Sequence, residues 1–115
     1  MRRGEIWIAE LEPRSGSEQR GTRPAIVMSH DGFNTVDAWR SIIVVPMTTS
    51  ARQAARGPTA VQLSAAVTGL DRDGIALCHQ LTTIDRGKLA RRVGTVSGPA
   101  LVAVERGVRA ALDLQ

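Results

Sequence analysis

Most of the apolar residues in this chain fall into short runs that are typical of strands. Residues 5–11 are rich in β-branched and aromatic side chains and Pro13 follows them, which predicts a first strand. Further strands are predicted over residues 23–28 and 41–47, and Pro46 predicts the end of a strand or a bulge because proline cannot donate to a ladder. Shorter apolar runs predict three later strands, at residues 60–63, 75–80 and 91–96.

Only the last segment has clear helical periodicity. Ser97 suits an N-cap, and it precedes apolar residues at helical spacing, namely Leu101, Val104, Val108, Ala111 and Leu112. Gly107 interrupts this segment and weakens a helix by about 1 kcal/mol relative to alanine. A second, short helix is predicted near Phe33, within the polar stretch of residues 29–40. Gly69 and the pairs Asp73-Gly74 and Arg86-Gly87 predict turns.

The pattern therefore predicts a small antiparallel sheet or barrel with a C-terminal helix, mostly β and nominally α+β. We find no internal repeat, low-complexity tract or linker in the sequence. We expect one continuous domain over residues 1–115.

Two polar loops stand out because of their length. Residues 13–22 are too many for a hairpin, where about 2–5 residues are usual, and long loops in small domains are often functional. Residues 51–58 form the second loop. If the strand that begins at Arg23 pairs antiparallel with the strand that ends near Met47, the start of one lies beside the end of the other. Arg23, Thr48 and the loop that contains Glu18 would then meet at one end of the sheet.

Composition is that of an ordinary globular domain. The chain has 115 residues, of which 43% are hydrophobic and 23% charged. This is enough for one hydrophobic core, but the chain is short for two domains. The longest apolar run covers residues 42–47, far fewer than the roughly 20 that span a bilayer. Glu5 also interrupts any apolar segment after Arg2 and Arg3, so we expect neither a membrane span nor a secretory signal.

Cysteine and histidine are too sparse for a disulfide or a zinc site. Cys78 is alone, and His30 and His79 are far apart in the sequence. We expect a cytoplasmic protein that needs no metal and no cofactor.

The charge balance is compatible with an anionic partner. The formal net charge is +4, and all fifteen basic residues except Lys88 are arginine. Arginine binds phosphate in a bidentate manner that lysine cannot reproduce. A GC-rich coding bias would produce the same excess of arginine, so charge alone does not decide between the two explanations.

Five sequence blocks, taken together and in order, resemble the MazF/PemK family of toxin endoribonucleases. They are RGEIW at 3–7, GSEQ at 16–19, GTRPAIV at 21–27, VPMTTS at 45–50 and LDRDG at 70–74. The resemblance covers nearly the whole chain. It implies a CcdB/PemK-like fold built around an SH3-like barrel, a homodimer and metal-independent cleavage of single-stranded RNA at short sequences. It also implies an antitoxin partner of the MazE kind with a flexible acidic segment.

The resemblance also implies which residues act. The family's catalytic arginine falls on Arg23, its catalytic threonine on Thr48, and the carboxylate of the GSEQ loop on Glu18. We expect RNA to be bound around them by Ser17, Gln19, Arg20, Thr49 and Gln80. The chain departs from the family at His79, where relatives commonly have an acidic residue, so a role for this position is open.

The chemistry of RNA cleavage suits these residue types. The 2′-hydroxyl attacks the adjacent phosphorus and expels the 5′-oxygen, which leaves a 2′,3′-cyclic phosphate and a 5′-hydroxyl, whereas DNA lacks this nucleophile. Arg23 suits stabilisation of the negative charge and could donate a proton to the leaving oxygen. Thr48 offers a hydroxyl donor. Glu18 is a candidate base, or a residue that orients Arg23.

Ordinary structural explanations also exist for these residues. An arginine before proline is commonly a solvated surface residue, and threonines after a strand often bond to local backbone. Trp7 is expected in the core, while Phe33 and Trp39 could stack unpaired bases. Two other functions remain open: a non-enzymatic inhibitor of the gyrase-binding CcdB type on the same fold, and an inactive RNA-binding module.

Overall fold

A computed structural model describes residues 1–11, 21–50, 52 and 57–115. These residues form an antiparallel sheet and a long C-terminal helix. The strands are β1 (Glu5–Leu11), β2 (Gly21–Val27), β3 (Ser41–Thr48), β4 (Ala60–Leu63), β5 (Gly74–Leu77), β6 (Thr82–Asp85) and β7 (Leu89–Thr95). The helices are α1 (Asp31–Asn34), α2 (Ala65–Thr68) and α3 (Gly98–Leu112), and short 3-10 turns cover Cys78–Gln80 and Arg86–Lys88. Across the described residues, no helix is both long enough and apolar enough to cross a membrane.

Strand β3 is the centre of the sheet because three other strands pair with it. Along one edge it pairs with β2, from Val27 opposite Val44 to Ala25 opposite Pro46. Along the other edge it pairs first with β6 and then, at its last two residues, with β5. The sheet order is β4-β5-β3-β2-β1-β7, with β6 also on β3, and all these pairs are antiparallel. The predicted antiparallel fold with a C-terminal helix is confirmed. Among the described residues, β4 and β7 are the end strands, so hydrogen bonds do not close the sheet.

Pro46 lies inside β3, so the prediction that it ends the strand or forms a bulge was wrong. The ladder from β6 stops at Val44, and the ladder from β5 starts at Met47. Pro46 therefore occupies the gap between the two partners, where neither strand requires the N–H that proline lacks.

The sheet buries apolar side chains on both faces, as the alternation along β2 illustrates. Ile26 packs with the cluster beneath α3, whose other members include Ile6, Val45, Met47 and Val104. Its neighbours Ala25 and Val27 point the other way, into a second cluster with Ala9, Ile42, Val44 and Leu89. Trp7 is half-buried at the margin of this second cluster. Because β3 contributes to both clusters, its sequence is almost continuously apolar.

Helix α3 starts where the sequence predicts, after Ser97, although the Ser97 side chain makes no capping hydrogen bond. Its buried face centres on Val104 and Gly107. Leu112, the last residue of the apolar spacing, is 52% exposed, because the helix ends there and Asp113 turns into the left-handed region.

Gly107 allows α3 to approach the turn after β5 very closely. A Cβ atom at this position would lie 2.6 Å from Cys78 Sγ and 3.0 Å from Val61 Cγ2. The glycine that appears unfavourable by helix propensity is therefore required by packing.

Several other boundaries differ from the predictions. The strand predicted over residues 75–80 ends at Leu77, because the chain must turn before β6 can continue along the same edge of β3. Strand β6 and helix α2 were not predicted. Helix α2 is a single turn that Gly69 ends in a left-handed conformation, with φ of 80°. The short helix near Phe33 is confirmed as α1.

We predict that Gly107→Ala destabilises the protein even though it favours the helix. A clash with buried side chains costs up to about 3 kcal/mol, and the better helix propensity of alanine returns about 1, so the free energy of unfolding should fall by about 2 kcal/mol. Chemical denaturation measures this. Combining the substitution with Cys78→Ala removes the closest atom, so the pair should cost less than the sum of the single effects. A more stable Gly107→Ala variant would contradict this packing argument.

Candidate active site

Three strand ends meet at one end of the sheet. β1 ends at Leu11, which pairs with Gly21 at the start of β2, and β3 ends at Thr48 beside them. Residues 12–20, which connect β1 to β2, lie outside the described residues. The predicted site residues Ser17, Glu18, Gln19 and Arg20 belong to this connection. The antiparallel pairing of β2 with β3, on which the predicted meeting of Arg23 and Thr48 depends, is observed.

The register of β2 and β3 relates Arg23 directly to Thr48. The last recorded pair is Ala25 with Pro46, and continuing the register by two residues places Arg23 opposite Thr48. Residues directly opposite each other in an antiparallel pair project from the same face. A guanidinium and a hydroxyl therefore belong to one face at one end of the sheet.

Arg23 combines a fixed backbone with an exposed side chain. Its backbone pairs with Ala9 of β1, and Pro24, the next residue, pairs with Ile8. Proline also restricts the residue before it to extended conformations. The exposed side chain of Arg23 therefore extends into solvent from a backbone position that strand pairing fixes.

Thr48 is half-buried and already makes one hydrogen bond. Its hydroxyl oxygen accepts the backbone N–H of Ser50 at 3.1 Å. This is the local backbone bond that ordinary threonines make after a strand. Because a hydroxyl both donates and accepts, the bond leaves the O–H of Thr48 able to donate to a ligand.

The only described carboxylate on β1 or β2 near this end is unsuitable as a partner of Arg23. Glu10 pairs with Thr22, one step from the Ala9–Arg23 pair. Neighbouring strand residues point to opposite faces, so Glu10 projects away from the face of Arg23. Within β1 and β2, no carboxylate near this end therefore replaces Glu18 as a base on this face.

Thr49 opens onto an adjacent pocket that the sequence analysis did not foresee. The pocket has a volume of about 590 Å³ and lies between β4, β5, α2 and α3. Its polar groups are Thr49, Gln62, Ser64 and Asp73. The Asp73 side chain accepts the N–H of Ala65 at 2.7 Å, which caps α2. The only sequence signal was the predicted Asp73-Gly74 turn.

The segment from Cys78 to Gln80 follows β5, the strand that pairs with Thr48. It forms the turn between β5 and β6, beside the middle of β3, and packs against α3. Cys78 and His79 do not alternate along a strand as expected, although Cys78 is buried and His79 exposed. Burial raises the pKa of the Cys78 thiol to about 11, so the thiol stays protonated at neutral pH. Gln80, a predicted RNA-binding residue, is half-buried at the end of this turn.

Metal ligation has no support among the side chains that the structure describes. Within residues 1–11, 21–50, 52 and 57–115, no group of three His, Cys, Asp or Glu side chains is arranged to hold a metal ion.

The fold and this strand end together define a class of protein: a small antiparallel domain with a guanidinium and a hydroxyl at one end of its sheet, which are groups of the kind that suit a phosphate. Comparison with known proteins then gives the family. Residues 2–112 match the model of the family described as PemK-like, MazF-like toxin of type II toxin-antitoxin system. The chain belongs to this family.

Individual relatives agree along almost the full length. Endoribonuclease MazF9 of Mycobacterium tuberculosis is 39% identical over 117 residues, which cover 99% of this chain and 98% of the relative. The crystal structure of MazF (form I) from Deinococcus radiodurans has a TM-score of 0.79 at 25% identity and covers 99% of this chain and 97% of that one. The MazE-MazF structure (form II) from the same organism has a TM-score of 0.74 at 26% identity, with coverage of 100% and 97%.

Proposed function

We propose that this protein is the toxin of a type II toxin–antitoxin system and that it cleaves single-stranded RNA without a metal ion, at a site built on Arg23 and Thr48. The observation that carries the proposal is the register of β2 and β3, because extending it by two residues beyond the pair of Ala25 with Pro46 puts Arg23 opposite Thr48. The family match and the endoribonuclease name of the 39% identical relative support the reaction class.

The proposed reaction uses the nucleophile that RNA itself carries. The 2′-oxygen forms a bond to the adjacent phosphorus, and the bond from phosphorus to the 5′-oxygen breaks. The proton of the 2′-hydroxyl passes to a base, and the 5′-oxygen receives a proton as it leaves. The products are a 2′,3′-cyclic phosphate and a 5′-hydroxyl.

Arg23 and Thr48 stabilise the charge that develops on the phosphate oxygens. Arg23 provides a permanently charged fork that binds two oxygens at once, and it can also protonate the leaving oxygen. Thr48 donates its hydroxyl while its oxygen continues to accept the N–H of Ser50. Strand pairing fixes the backbone from which each of these side chains extends.

Glu18 completes the proposed site as the base or as the residue that orients Arg23. The connection in which it lies begins after Leu11 and ends before Gly21, so the chain returns to the same sheet end as Arg23. We propose that its neighbours Ser17, Gln19 and Arg20 bind the RNA together with Thr49. We propose that Gln80 also contacts the RNA.

The proposed partners follow from the same chemistry and from the relatives. A surface that holds phosphates with arginine also binds carboxylates, so an antitoxin with a flexible acidic segment fits it. The structure of the 26% identical MazE-MazF pair supports such a partner. We further propose that the whole chain acts as a single domain, that it forms a homodimer and that it works in the cytoplasm, where its RNA substrate is found.

We predict that cleavage continues in excess EDTA and leaves 5′-hydroxyl ends, because the 2′-hydroxyl supplies the attack and Arg23 supplies the positive charge. Incubation of the purified protein with a long single-stranded RNA, followed by mapping of the ends, measures both properties. Loss of activity on chelation that a divalent ion restores would contradict the mechanism. No cleavage of any RNA, together with binding to gyrase, would favour the CcdB-like inhibitor.

We predict that Arg23→Ala lowers the cleavage rate much more than Thr48→Ala does. Removing one neutral donor from an oxyanion site typically costs about 10²–10³ in rate, and a charged bidentate donor contributes more. Arg23→Lys should recover little, because a point charge cannot reproduce the fork. Single-turnover kinetics with matched circular dichroism spectra separate catalysis from folding. Near-normal turnover by a folded Arg23→Ala variant would refute the assignment.

We predict that antitoxin and RNA compete for the protein. An uncleavable RNA with deoxyribose at the scissile position should weaken binding of the acidic segment, and the association rate of that segment should fall as ionic strength rises. A titration of one ligand against the other tests this. Simultaneous binding without mutual weakening would mean that the antitoxin inhibits from another surface.

A further inference from the structure

An exposed stack of aromatic rings lies in the segment between β2 and β3. The rings of Phe33 and Trp39 have centroids 4.6 Å apart and planes inclined by 32°, and His30 meets Phe33 edge-on at 6.3 Å. Phe33 and Trp39 are each 45% exposed. The chain has only three Phe, Trp and Tyr residues, so two of the three form this surface. We call Phe33 and Trp39 the aromatic platform.

The side chain of Arg86 holds the backbone beneath the aromatic platform. Its guanidinium donates to four carbonyl oxygens between 2.9 and 3.2 Å away, those of Phe33, Asn34, Val36 and Trp39. The indole N–H of Trp39 donates to the carbonyl of Ser41 at 2.8 Å. The rings are therefore held in one arrangement before any ligand arrives, which lowers the entropic cost of binding.

Arg86 supplies a positive charge beside the backbone that carries the aromatic platform. The four hydrogen bonds of Arg86 run to neutral carbonyls, and among the described residues no carboxylate pairs with it. Asp85, the carboxylate next to it in sequence, is bound by Arg40 through two hydrogen bonds. Asp31 is likewise occupied, because it accepts the backbone N–H of Arg3. Arg86 thus forms no ion pair with a described carboxylate, although the exposed Asp37 lies in the same segment as Phe33 and Trp39.

The aromatic platform and the candidate active site lie at opposite ends of β3. Ser41, to which Trp39 is bonded, begins the strand, and Thr48 ends it. Seven steps along a strand cover about 23 Å. A ligand that touches both sites must therefore be an extended chain rather than a small molecule.

We propose that the aromatic platform is an accessory binding site for unpaired bases of the RNA substrate, outside the sequence that is cleaved. This proposal rests on the proposed function. Aromatic rings that stack bases next to a cation are the usual means by which proteins bind single strands with little sequence preference. The aromatic platform therefore raises the affinity for long RNA without selecting the cleavage sequence.

Trp39→Leu and Trp39→Phe form a matched pair that isolates the ring. Both lose the indole bond to Ser41, but only the leucine variant loses the aromatic face. With an RNA of about 20 nucleotides, we expect Trp39→Leu to raise KM about tenfold with kcat unchanged, and Trp39→Phe to behave nearly like the wild type. With an RNA trimmed to the cleavage sequence, neither variant should change KM. Equal effects on both RNAs, or on neither, would refute the proposal.

A binding measurement keeps the test independent of catalysis. In a Trp7→Phe background, Trp39 is the only tryptophan, so its fluorescence should be quenched by long uncleavable RNA and not by the trimmed RNA. Thermal unfolding confirms that each variant is folded. If the wild type cleaves no RNA, the proposed function fails, yet the fluorescence titration still decides whether the aromatic platform binds a single strand. Weaker antitoxin binding by Trp39→Leu, with RNA binding unchanged, would make the aromatic platform a protein-docking surface and overturn the proposal.

Discussion

The division of hydrogen bonds along β3 is the constraint on which the rest of the structure depends. One edge of this strand serves β2, and the other edge is shared between β6 and β5. Because the partner along this edge changes between β5 and β6, the chain must turn at Cys78–Gln80. Gly107 lets α3 pack directly on that turn. The same arrangement accommodates Pro46 between the β6 and β5 pairings. It also brings Thr48 to the sheet end where β2 begins, two residues before Arg23.

The two ends of β3 consequently have different chemical characters. At the Thr48 end of β3, polar side chains project from paired strands, and Thr49 borders an open pocket. At the Ser41 end of β3, the Arg86 guanidinium is surrounded by backbone carbonyls of the segment that contains the aromatic platform. The strand separates the region where we place cleavage from a region that we expect to retain the substrate. We thus assign the rate of cleavage to residues at one end of β3, and part of the affinity for RNA to residues at its other end.

Local patterns in the sequence were sufficient for the main elements but not for their contacts. The apolar runs located β1, β3 and β4, and helical spacing located α3. The antiparallel pairing of β2 with β3 was assumed at that point, and the structure has it. The position of Pro46 was misjudged because the missing N–H matters only if a neighbouring strand requires it, and that depends on where two other ladders end. Arg86 looked like part of a turn, since its four carbonyl partners are about 50 residues away in sequence. The roles of Arg23, Thr48 and Glu18 remain predictions, because pairing geometry places a side chain without revealing its chemistry.

The pairing of Leu11 with Gly21 has a consequence for how members of such a family can diverge. This pair closes the connection of residues 12–20, so the ladder that carries Arg23 starts at a fixed point whatever the connection contains. Loop closure is only weakly sensitive to length, and doubling the connection costs about 0.6 kcal/mol. Insertions and substitutions there, outside the proposed site residue Glu18, therefore cost little in folding free energy. If the connection contacts RNA as we propose, substrate preference can change in this segment while the guanidinium of Arg23 stays in register.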